Sequence, residues 1–217
     1  MNARLLEKEG FAALVLRLRA EGVGDRALLT ALEATPRSLF VPPAYTDLAY
    51  GRRLLPIDCG AFMEGADLAV RLIDLLGVQP ADRVLEIGTG SGFMTAVLAR
   101  MCERVVSVER YKTLLTLAAQ RFEHLEIRNI ILRQLDGSTN VPGEGTFNRV
   151  LSTAAFTSMP RHFADHIVSG GVMIAPLQEE NGETTMVRLT KIGSRFEREN
   201  LFQVPYQPLS SGIASAI

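Results

Sequence analysis

Tryptophan is absent from this sequence of 217 residues, cysteine occurs only twice, and neither sign of charge is in clear excess. A formal net charge of −1 argues against nucleic acid as a main partner, because neutralising phosphate groups needs a surplus of Lys and Arg. Met1–Gly10 lacks the apolar core of a signal peptide, so we interpret Cys59 and Cys102 as free thiols in a reducing compartment. No apolar run approaches the roughly 20 residues of a membrane-spanning helix. We therefore expect a cytoplasmic protein whose partner is neither a membrane nor a nucleic acid.

The hydrophobic pattern that is present changes character near residue 79. Residues 5–21, 26–32 and 67–76 carry apolar side chains at helical spacing. Asp25 is predicted to cap the second of these helices, which stops near Thr35, and Gly77 to end the third. From there on, β-rich runs alternate with helical ones, which predicts a mostly parallel sheet with right-handed crossovers. We predict five strands in this sheet, at 83–87, 104–108, 128–132, 147–153 and 171–176. The helices between them are predicted at 94–101, 111–125 and 160–168. Two alternating runs, 184–192 and 198–204, predict a final antiparallel hairpin.

A glycine-rich turn is the most informative stretch of the sequence. Three glycines stand where a predicted strand becomes a helix: Gly88, Gly90 and Gly92. Glycine lets the backbone approach a ligand closely, and the first N–H groups of the helix have no partner within it. The stretch is not a P-loop, and Phe93 replaces the next glycine of a dinucleotide fingerprint. Glu86, two residues before the first glycine, favours a sulfonium nucleoside with a zwitterionic end. Thr89 and Ser91, inside the turn, belong to the candidate site.

Acidic residues follow the next two predicted strands. Glu109 ends the second strand, where a carboxylate can accept both hydroxyls of a ribose, and Arg110 comes next. Asp136 and Gly137 follow the third strand, where the carboxylate is placed to reach an adenine amino group. Signals at the carboxyl ends of three successive strands predict a nucleoside-like ligand and favour S-adenosylmethionine over NAD. A purely structural glycine turn is the alternative.

Many of these residues, in this order, resemble protein-L-isoaspartate O-methyltransferases. The matching segments are Pro36–Pro42, Ala49–Tyr50, Leu54–Ile57, Arg83–Phe93, Val106–Arg110, Asp136–Gly137 and Thr153–Ala155 with Pro160. The resemblance implies a doubly wound, Rossmann-like class I methyltransferase fold, with N-terminal helices added. It also implies S-adenosylmethionine as cofactor and repair of proteins or peptides with an altered aspartyl residue. We therefore divide the chain into an N-terminal helical and acceptor-side segment, 1–78, and a cofactor-binding core with a C-terminal tail, 79–217, in one compact unit.

The resemblance breaks just after the Leu-Pro-Ile segment. The family normally has Gly-Gln-Thr-Ile-Ser-Gln-Pro there, and this sequence has Phe62 at the Thr position and Glu64 at the Ser position. In the family those hydroxyls lie beside the substrate carboxylate. An ionised Glu64 would repel that carboxylate, whereas it would serve a hydroxyl acceptor as general base or attract a cationic amine. We predict that the cofactor side is retained and the acceptor side, Phe62 and Glu64, has diverged.

Three functions remain open at this point. The favoured one is an isoaspartyl-type carboxyl methyltransferase. The others are a methyltransferase with a hydroxyl or amine acceptor, including a small molecule, and a non-catalytic protein that binds S-adenosylmethionine. His162 and His166 stand four apart on a predicted helix, but no third ligand is evident and we predict no metal site. The tail 204–209 resembles the family segment that closes over the substrate. Asn148 is predicted to have a structural role, and Leu135 is predicted to narrow the part of the cofactor site that holds the adenine base.

Overall fold

The computed structural model describes residues 3–139 and 141–214. Within them lie five α-helices: α1 (Ala3–Ala20), α2 (Arg26–Glu33), α3 (Ala66–Leu76), α4 (Phe93–Ala99) and α5 (Lys112–His124). Short 3₁₀ segments cover Arg37–Phe40, Pro43–Leu48, Asp58–Gly60 and Arg161–His166. The strands are β1 (Leu55–Pro56), β2 (Phe62–Met63), β3 (Arg83–Ile87), β4 (Arg104–Glu109), β5 (Ile130–Gln134), β6 (Phe147–Ser152), β7 (Ile167–Gln178), β8 (Thr184–Ile192) and β9 (Arg195–Gln203). No helix in these ranges is long and apolar enough to cross a bilayer.

The main sheet has the strand order β5-β4-β3-β6-β7-β8-β9. Strands β5, β4, β3, β6 and β7 pair in parallel, and β8 and β9 complete the sheet in antiparallel fashion. The parallel sheet and the final antiparallel hairpin predicted from the sequence are therefore confirmed. Because the chain leaves β3 towards β4 and later returns on its other side to β6, the strand order reverses at β3. In open α/β sheets, ligands bind outside the carboxyl ends of the strands at such a point.

Local sequence signals fix several helix ends. The side chain of Asp25 accepts a hydrogen bond from the Leu28 N–H at 2.7 Å and caps the start of α2, as predicted. Gly77 adopts a left-handed conformation with φ of 63° and ends α3, also as predicted. Asn148 accepts a hydrogen bond from the Arg83 N–H at 2.9 Å, which confirms its structural role between β6 and β3.

Two expectations about the elements were wrong. The predicted helix at 160–168 is a 3₁₀ turn over Arg161–His166, and Ile167 already begins β7. β-branched Ile167 and Val168, followed by a glycine pair, favour extended backbone over a further helical turn. The third strand begins at Ile130 and not at residue 128, because the Asn129 side chain donates hydrogen bonds to the Ala99 and Cys102 carbonyls and holds its segment against the end of α4.

The apolar core lies on both faces of the main sheet. All five described α-helices contribute to the first cluster, which covers one face and also includes Val84 and Val105 of the central strands. The second cluster covers the other face with Leu85, Ile87 and Val106, packed under loops and the 3₁₀ turn before β7. Side chains from before and after residue 78 thus share the first cluster. The division at that residue stays a prediction.

Candidate active site

The glycine turn between β3 and α4 brings backbone to the carboxyl edge of the sheet. Gly88, Gly90 and Gly92 have positive φ angles of 97°, 53° and 86°, a region that residues with a Cβ rarely adopt. A Cβ on Gly88 would lie 2.7 Å from Thr153 Oγ1, whereas one on Gly90 would meet no atom closer than Ile57 Cδ1 at 3.7 Å. Gly90 therefore presents bare backbone to open space beside the sheet, which is suited to close approach of a ligand.

Two adjoining spaces lie around this turn. The larger one, which we call the outer cleft, has a volume of about 330 Å³ and runs between the glycine turn, the end of β4 and the C-terminal segment. The smaller one, which we call the inner cavity, has a volume of about 30 Å³ and lies on the other side of the turn. They share four lining residues: Phe62, Gly88, Gly90 and Thr153.

Glu109 fixes the floor of the outer cleft. Its carboxylate is buried at the tip of β4 and accepts hydrogen bonds from three backbone N–H groups, those of Gly90 at 3.0 Å, Arg110 at 2.8 Å and Tyr111 at 3.1 Å. This arrangement joins the glycine turn to the end of β4. Arg110 also lines the cleft, and its buried Nε has no hydrogen-bond partner among the described residues.

Asp136 and Gly137, the pair predicted to bind the ligand after the third strand of the sheet, lie in different surroundings. Gly137 lines the outer cleft together with Leu135, but the carboxylate of Asp136 does not. Asp136 instead accepts hydrogen bonds from the Ser138 N–H at 2.8 Å and the Gly212 N–H at 2.6 Å. Burial alone would raise the pKa of Asp136, but these hydrogen bonds and that from the Ser138 hydroxyl outweigh burial and hold it below its ordinary value. Asp136 therefore anchors the C-terminal segment as an anion.

Glu86 lies beneath the glycine turn, where it lines the inner cavity and is almost fully buried. It accepts hydrogen bonds from Ser107 Oγ at 2.6 Å and from Thr95 Oγ1. Burial raises the pKa of Glu86 to about 8 despite these hydrogen bonds, and the nearby carboxylate of Glu64 raises it further. Glu86 is therefore largely a neutral acid at pH 7.

The acceptor-side residues lie at a small antiparallel pair of strands: Phe62 is in β2, and Glu64 directly follows it. β1 and β2 pair Leu55 with Met63 and Pro56 with Phe62. Phe62 is 54% exposed at the border of both spaces, an unusual position for a phenyl ring. Glu64 lines the inner cavity, and its Oε1 accepts a hydrogen bond from the Tyr206 hydroxyl at 3.0 Å. Burial raises the pKa of Glu64 above its ordinary value, although Tyr206 and Arg37 oppose this shift.

Residues 204–214, which we call the strap, cross the carboxyl ends of the parallel strands. The strap is hydrogen-bonded to the loop after β6 at Ala155. The Ala155 N–H donates to the Gln207 carbonyl at 2.9 Å, and the Leu209 N–H donates to the Ala155 carbonyl at 2.8 Å. Further along, Gly212 reaches Asp136, and Ala214 N donates to Arg110 O at 3.2 Å. The strap therefore forms a wall of the outer cleft.

The structure brings most of the predicted residues together. The outer cleft has Gly88, Gly90, Glu109, Arg110 and Gly137 in its lining, and the inner cavity has Glu64, Glu86, Thr89 and Ser91. Gly92 and Asp136 line neither space. Gly92 starts α4, and a Cβ there would lie 2.8 Å from the Phe122 ring.

Arg37 and Tyr206 are site residues that the sequence reasoning did not single out. Arg37 lines the inner cavity with a guanidinium 4.4 Å from the Phe93 ring centroid. Both lie in segments that carry the family resemblance, but their contacts to Glu64 join positions far apart in the sequence. The signal that could have found Arg37 is a charged residue inside an otherwise apolar, Pro-bounded segment.

Comparison with known proteins identifies the family. The family model described as protein-L-isoaspartate(D-aspartate) O-methyltransferase matches residues 9–214. A protein-L-isoaspartate O-methyltransferase of Rhizobium meliloti is 50% identical over 202 residues, which cover 93% of this chain and 99% of that one. One from Maricaulis maris is 40% identical, covering 94% of this chain and 95% of its own.

A solved structure described as a protein-L-isoaspartate O-methyltransferase from Plasmodium falciparum in complex with S-adenosyl-L-homocysteine shares the fold. Its TM-score is 0.78 at 20% sequence identity, and the match covers 91% of this chain and 97% of that one. With a family model that spans residues 9–214 and a relative identical at half of the aligned positions, this chain belongs to the protein-L-isoaspartate(D-aspartate) O-methyltransferase family.

Proposed function

We propose that this chain uses S-adenosylmethionine to methylate the side-path carboxylate of isoaspartyl residues in proteins and peptides, as a step in their repair. The observation that carries the proposal is the outer cleft itself. In a chain of this family, the cleft combines bare glycine backbone with the carboxylate of Glu109 at the carboxyl edge of the sheet. A cytoplasmic location goes with this proposal and is supported by two free cysteines, Cys59 and Cys102.

The residues around the outer cleft fit a nucleoside. Glu109 offers carboxylate oxygens for a ribose, Gly88 and Gly90 let the backbone come close, and Arg110 Nε is a buried donor without an acceptor. When bound, S-adenosylmethionine supplies an electrophilic methyl group. An acceptor carboxylate is already anionic, so the chain has to align it and exclude water and needs no general base. Phe62 and the strap, which border the outer cleft, are placed to exclude water.

Glu64 is compatible with a carboxylate acceptor when it is neutral. Burial raises the pKa of Glu64, and the hydrogen bond from Tyr206 opposes this shift only in part. A protonated carboxyl can donate a hydrogen bond as a hydroxyl does. A neutral Glu64 would not repel an isoaspartyl carboxylate, which removes the main objection raised by the sequence.

A different acceptor is the second candidate, and Glu64 is the observation that favours it. An ionised Glu64 would assist a hydroxyl as general base or attract an amine, on a protein or on a small molecule. The two candidates predict opposite responses to the loss of this carboxyl group.

The test uses S-adenosylmethionine with a labelled methyl group and two peptides that differ only in one isoaspartyl or aspartyl residue. We expect label to enter the isoaspartyl peptide as a base-labile ester. Failure to label it, together with transfer to a hydroxyl or amine compound, would contradict the proposal and support the second candidate.

The variant Glu64→Ser separates the two roles of this position. It should retain or raise isoaspartyl methylation if Glu64 acts only as a neutral partner or an obstacle, and should abolish transfer to a hydroxyl or amine if Glu64 is a base. Glu180→Ser, at an exposed position far along the chain, serves as the matched control and should change neither activity.

A further inference from the structure

The inner cavity is lined by a positively charged side chain, that of Arg37, which is not fully hydrogen-bonded. Arg37 is almost fully buried and forms no ion pair among the residues that the structure describes. Its Nε donates to the Ala49 carbonyl at 2.7 Å and its Nη2 donates to the Glu64 carbonyl. Its Nη1 is buried and has no acceptor within residues 3–139 and 141–214. Buried polar groups are normally bonded, so an unpaired one at a cavity points to a partner that arrives with a ligand.

The charges around the inner cavity form a pattern of their own. Arg37 is the one cation among the described lining residues, and two carboxyl groups, Glu64 and Glu86, share the lining with it. Burial lowers the pKa of Arg37 to about 10, so the guanidinium is charged at pH 7. Glu86, with its pKa raised to about 8, is then mostly neutral. An anionic group is therefore attracted to the Arg37 side, whereas an ammonium can donate hydrogen bonds to the carboxyl oxygens on the other side.

The size of the cavity restricts what enters it. A single water needs roughly 10–15 Å³ of such volume, so about 30 Å³ accommodates a small charged head and excludes a nucleoside. The outer cleft is about ten times larger, at 330 Å³, and adjoins the cavity at Phe62, Gly88, Gly90 and Thr153, which line both. A ligand with a nucleoside body and a short zwitterionic end matches both spaces at once.

We propose that Arg37 binds the carboxylate of the amino-acid end of S-adenosylmethionine through Nη1, while Glu86 and Glu64 face its ammonium group. This inference rests on the proposed function and adds to it a residue that determines how the donor is held. The acceptor-side loop contains Phe62 and Glu64 in place of two hydroxyls, so it offers no positively charged side chain for that carboxylate. Arg37 is then the remaining positive group at the cavity.

The test compares three compounds by calorimetric titration of the full chain. S-adenosylhomocysteine has the whole amino-acid end, its decarboxylated analogue keeps the amine alone, and 5′-methylthioadenosine lacks both groups. The unaltered protein should bind S-adenosylhomocysteine about 10–100-fold more tightly than the decarboxylated analogue, as expected for a charge-assisted hydrogen bond at a buried site. Equal affinity for these two compounds would overturn the inference without any substitution in the protein.

Arg37→Met should weaken the binding of S-adenosylhomocysteine by about 10–100-fold and should leave the affinity for 5′-methylthioadenosine within about twofold of its original value. Because Arg37 also bonds to Ala49 and Glu64, the second compound reports whether the outer cleft is intact. An equal loss for both compounds would show a merely structural role and overturn the inference.

Two further variants keep the test decisive if Arg37→Met folds poorly. Arg37→Lys retains the charge but loses the forked donor, and we expect an intermediate ratio between the two affinities; an unchanged ratio would contradict the inference. Tyr50→Phe removes the hydroxyl that accepts the Arg37 backbone N–H and leaves the guanidinium in place, so the ratio should not change. If the unaltered protein binds none of the three compounds, the proposed function falls and this inference falls with it.

Discussion

Glu109 holds three backbone N–H groups with one carboxylate, so its replacement by an amide is unusually informative. In Glu109→Gln, the NH₂ group must face at least one of the donors from Gly90, Arg110 and Tyr111. We expect a loss of about 1.5–3 kcal/mol in the binding of S-adenosylhomocysteine, because the ribose hydroxyls lose a charged acceptor and a hydrogen bond to a charged group is worth about that much. Isothermal titration calorimetry measures this loss. Glu103→Gln, on an exposed turn, should bind normally, and normal binding by Glu109→Gln would refute the role of its carboxylate.

Glu86 is expected to make stability depend on pH in a definite direction. Its pKa is about 8 in the folded protein against an ordinary value of 4.5, so the folded state holds the proton more tightly. The resulting contribution to the free energy of unfolding is complete below about pH 4.5. It is lost as the pH rises towards 8, by up to about 1.4 kcal/mol per pH unit. Glu86→Gln retains an oxygen that can accept from Ser107 and Thr95 but cannot ionise.

Urea denaturation at pH 5.5, 7 and 8.5 measures that dependence. The free energy of unfolding of Glu86→Gln should fall less with pH than that of the unaltered chain, so the variant gains relative stability as the pH rises. Glu180→Gln, which is exposed, should follow the unaltered protein at every pH. Parallel curves for Glu86→Gln and the unaltered chain would mean that Glu86 does not carry the proton.

Part of this site could be predicted from the sequence, and the rest could not because it depends on contacts between distant segments. The glycines directly follow β3 and Glu109 ends β4, so their spacing along the chain reports their position at the carboxyl edge of the sheet. Asp136 is different, because its carboxylate bonds to Gly212, which lies 76 positions away in the sequence. Arg37 reaches Glu64 across 27 positions. Contacts of this range depend on how the strap and the acceptor-side loop pack, which no local pattern contains.

At the scale of elements, the start of α4 requires glycine for two separate reasons. Gly92 has a φ of 86°, and an added Cβ would lie 2.8 Å from Phe122 and 3.0 Å from the Ala118 Cβ. Gly182 has a similar φ of 84° but no atom within 4 Å of the same position. Gly92→Ala should therefore lower the free energy of unfolding by about 2–4 kcal/mol, whereas Gly182→Ala should lower it by about 1 kcal/mol through backbone strain alone. Thermal or urea unfolding of both variants measures the difference, and equal losses would rule out the steric part.

Elements whose ends have a local cause were predictable from the sequence. Asp25 and Gly77 cap their helices with their own side chain or conformation, and the predicted boundaries are confirmed. The prediction for 160–168 was wrong because Phe163 and Ile167 are buried by tertiary packing within the second apolar cluster. Their burial does not reflect one face of a helix, although the periodicity resembles one. The correct assignment requires knowing that β7 extends back to Ile167 beside β6.

The whole molecule should unfold as one unit, since α1–α3 and the sheet share a single apolar cluster. A ligand that binds only the folded state, at 100 times its Kd, stabilises by about 2.7 kcal/mol. For a chain of this size, S-adenosylhomocysteine should therefore raise the Tm by about 5–10 °C. Differential scanning calorimetry should show one transition that moves as a whole. Two transitions, of which only one responds to the ligand, would separate the segments before and after residue 78.

The course of the strap has a practical meaning for anyone who labels or purifies this protein. Ala214 pairs with Tyr111 at the rim of the outer cleft. A fluorophore attached to the strap beside Ala214 would thus stand at the rim of that cleft. Attachment at exposed Glu180, which lines neither the outer cleft nor the inner cavity, avoids that rim, so kinetic constants should be compared between the two labelled preparations before either is taken as the native value.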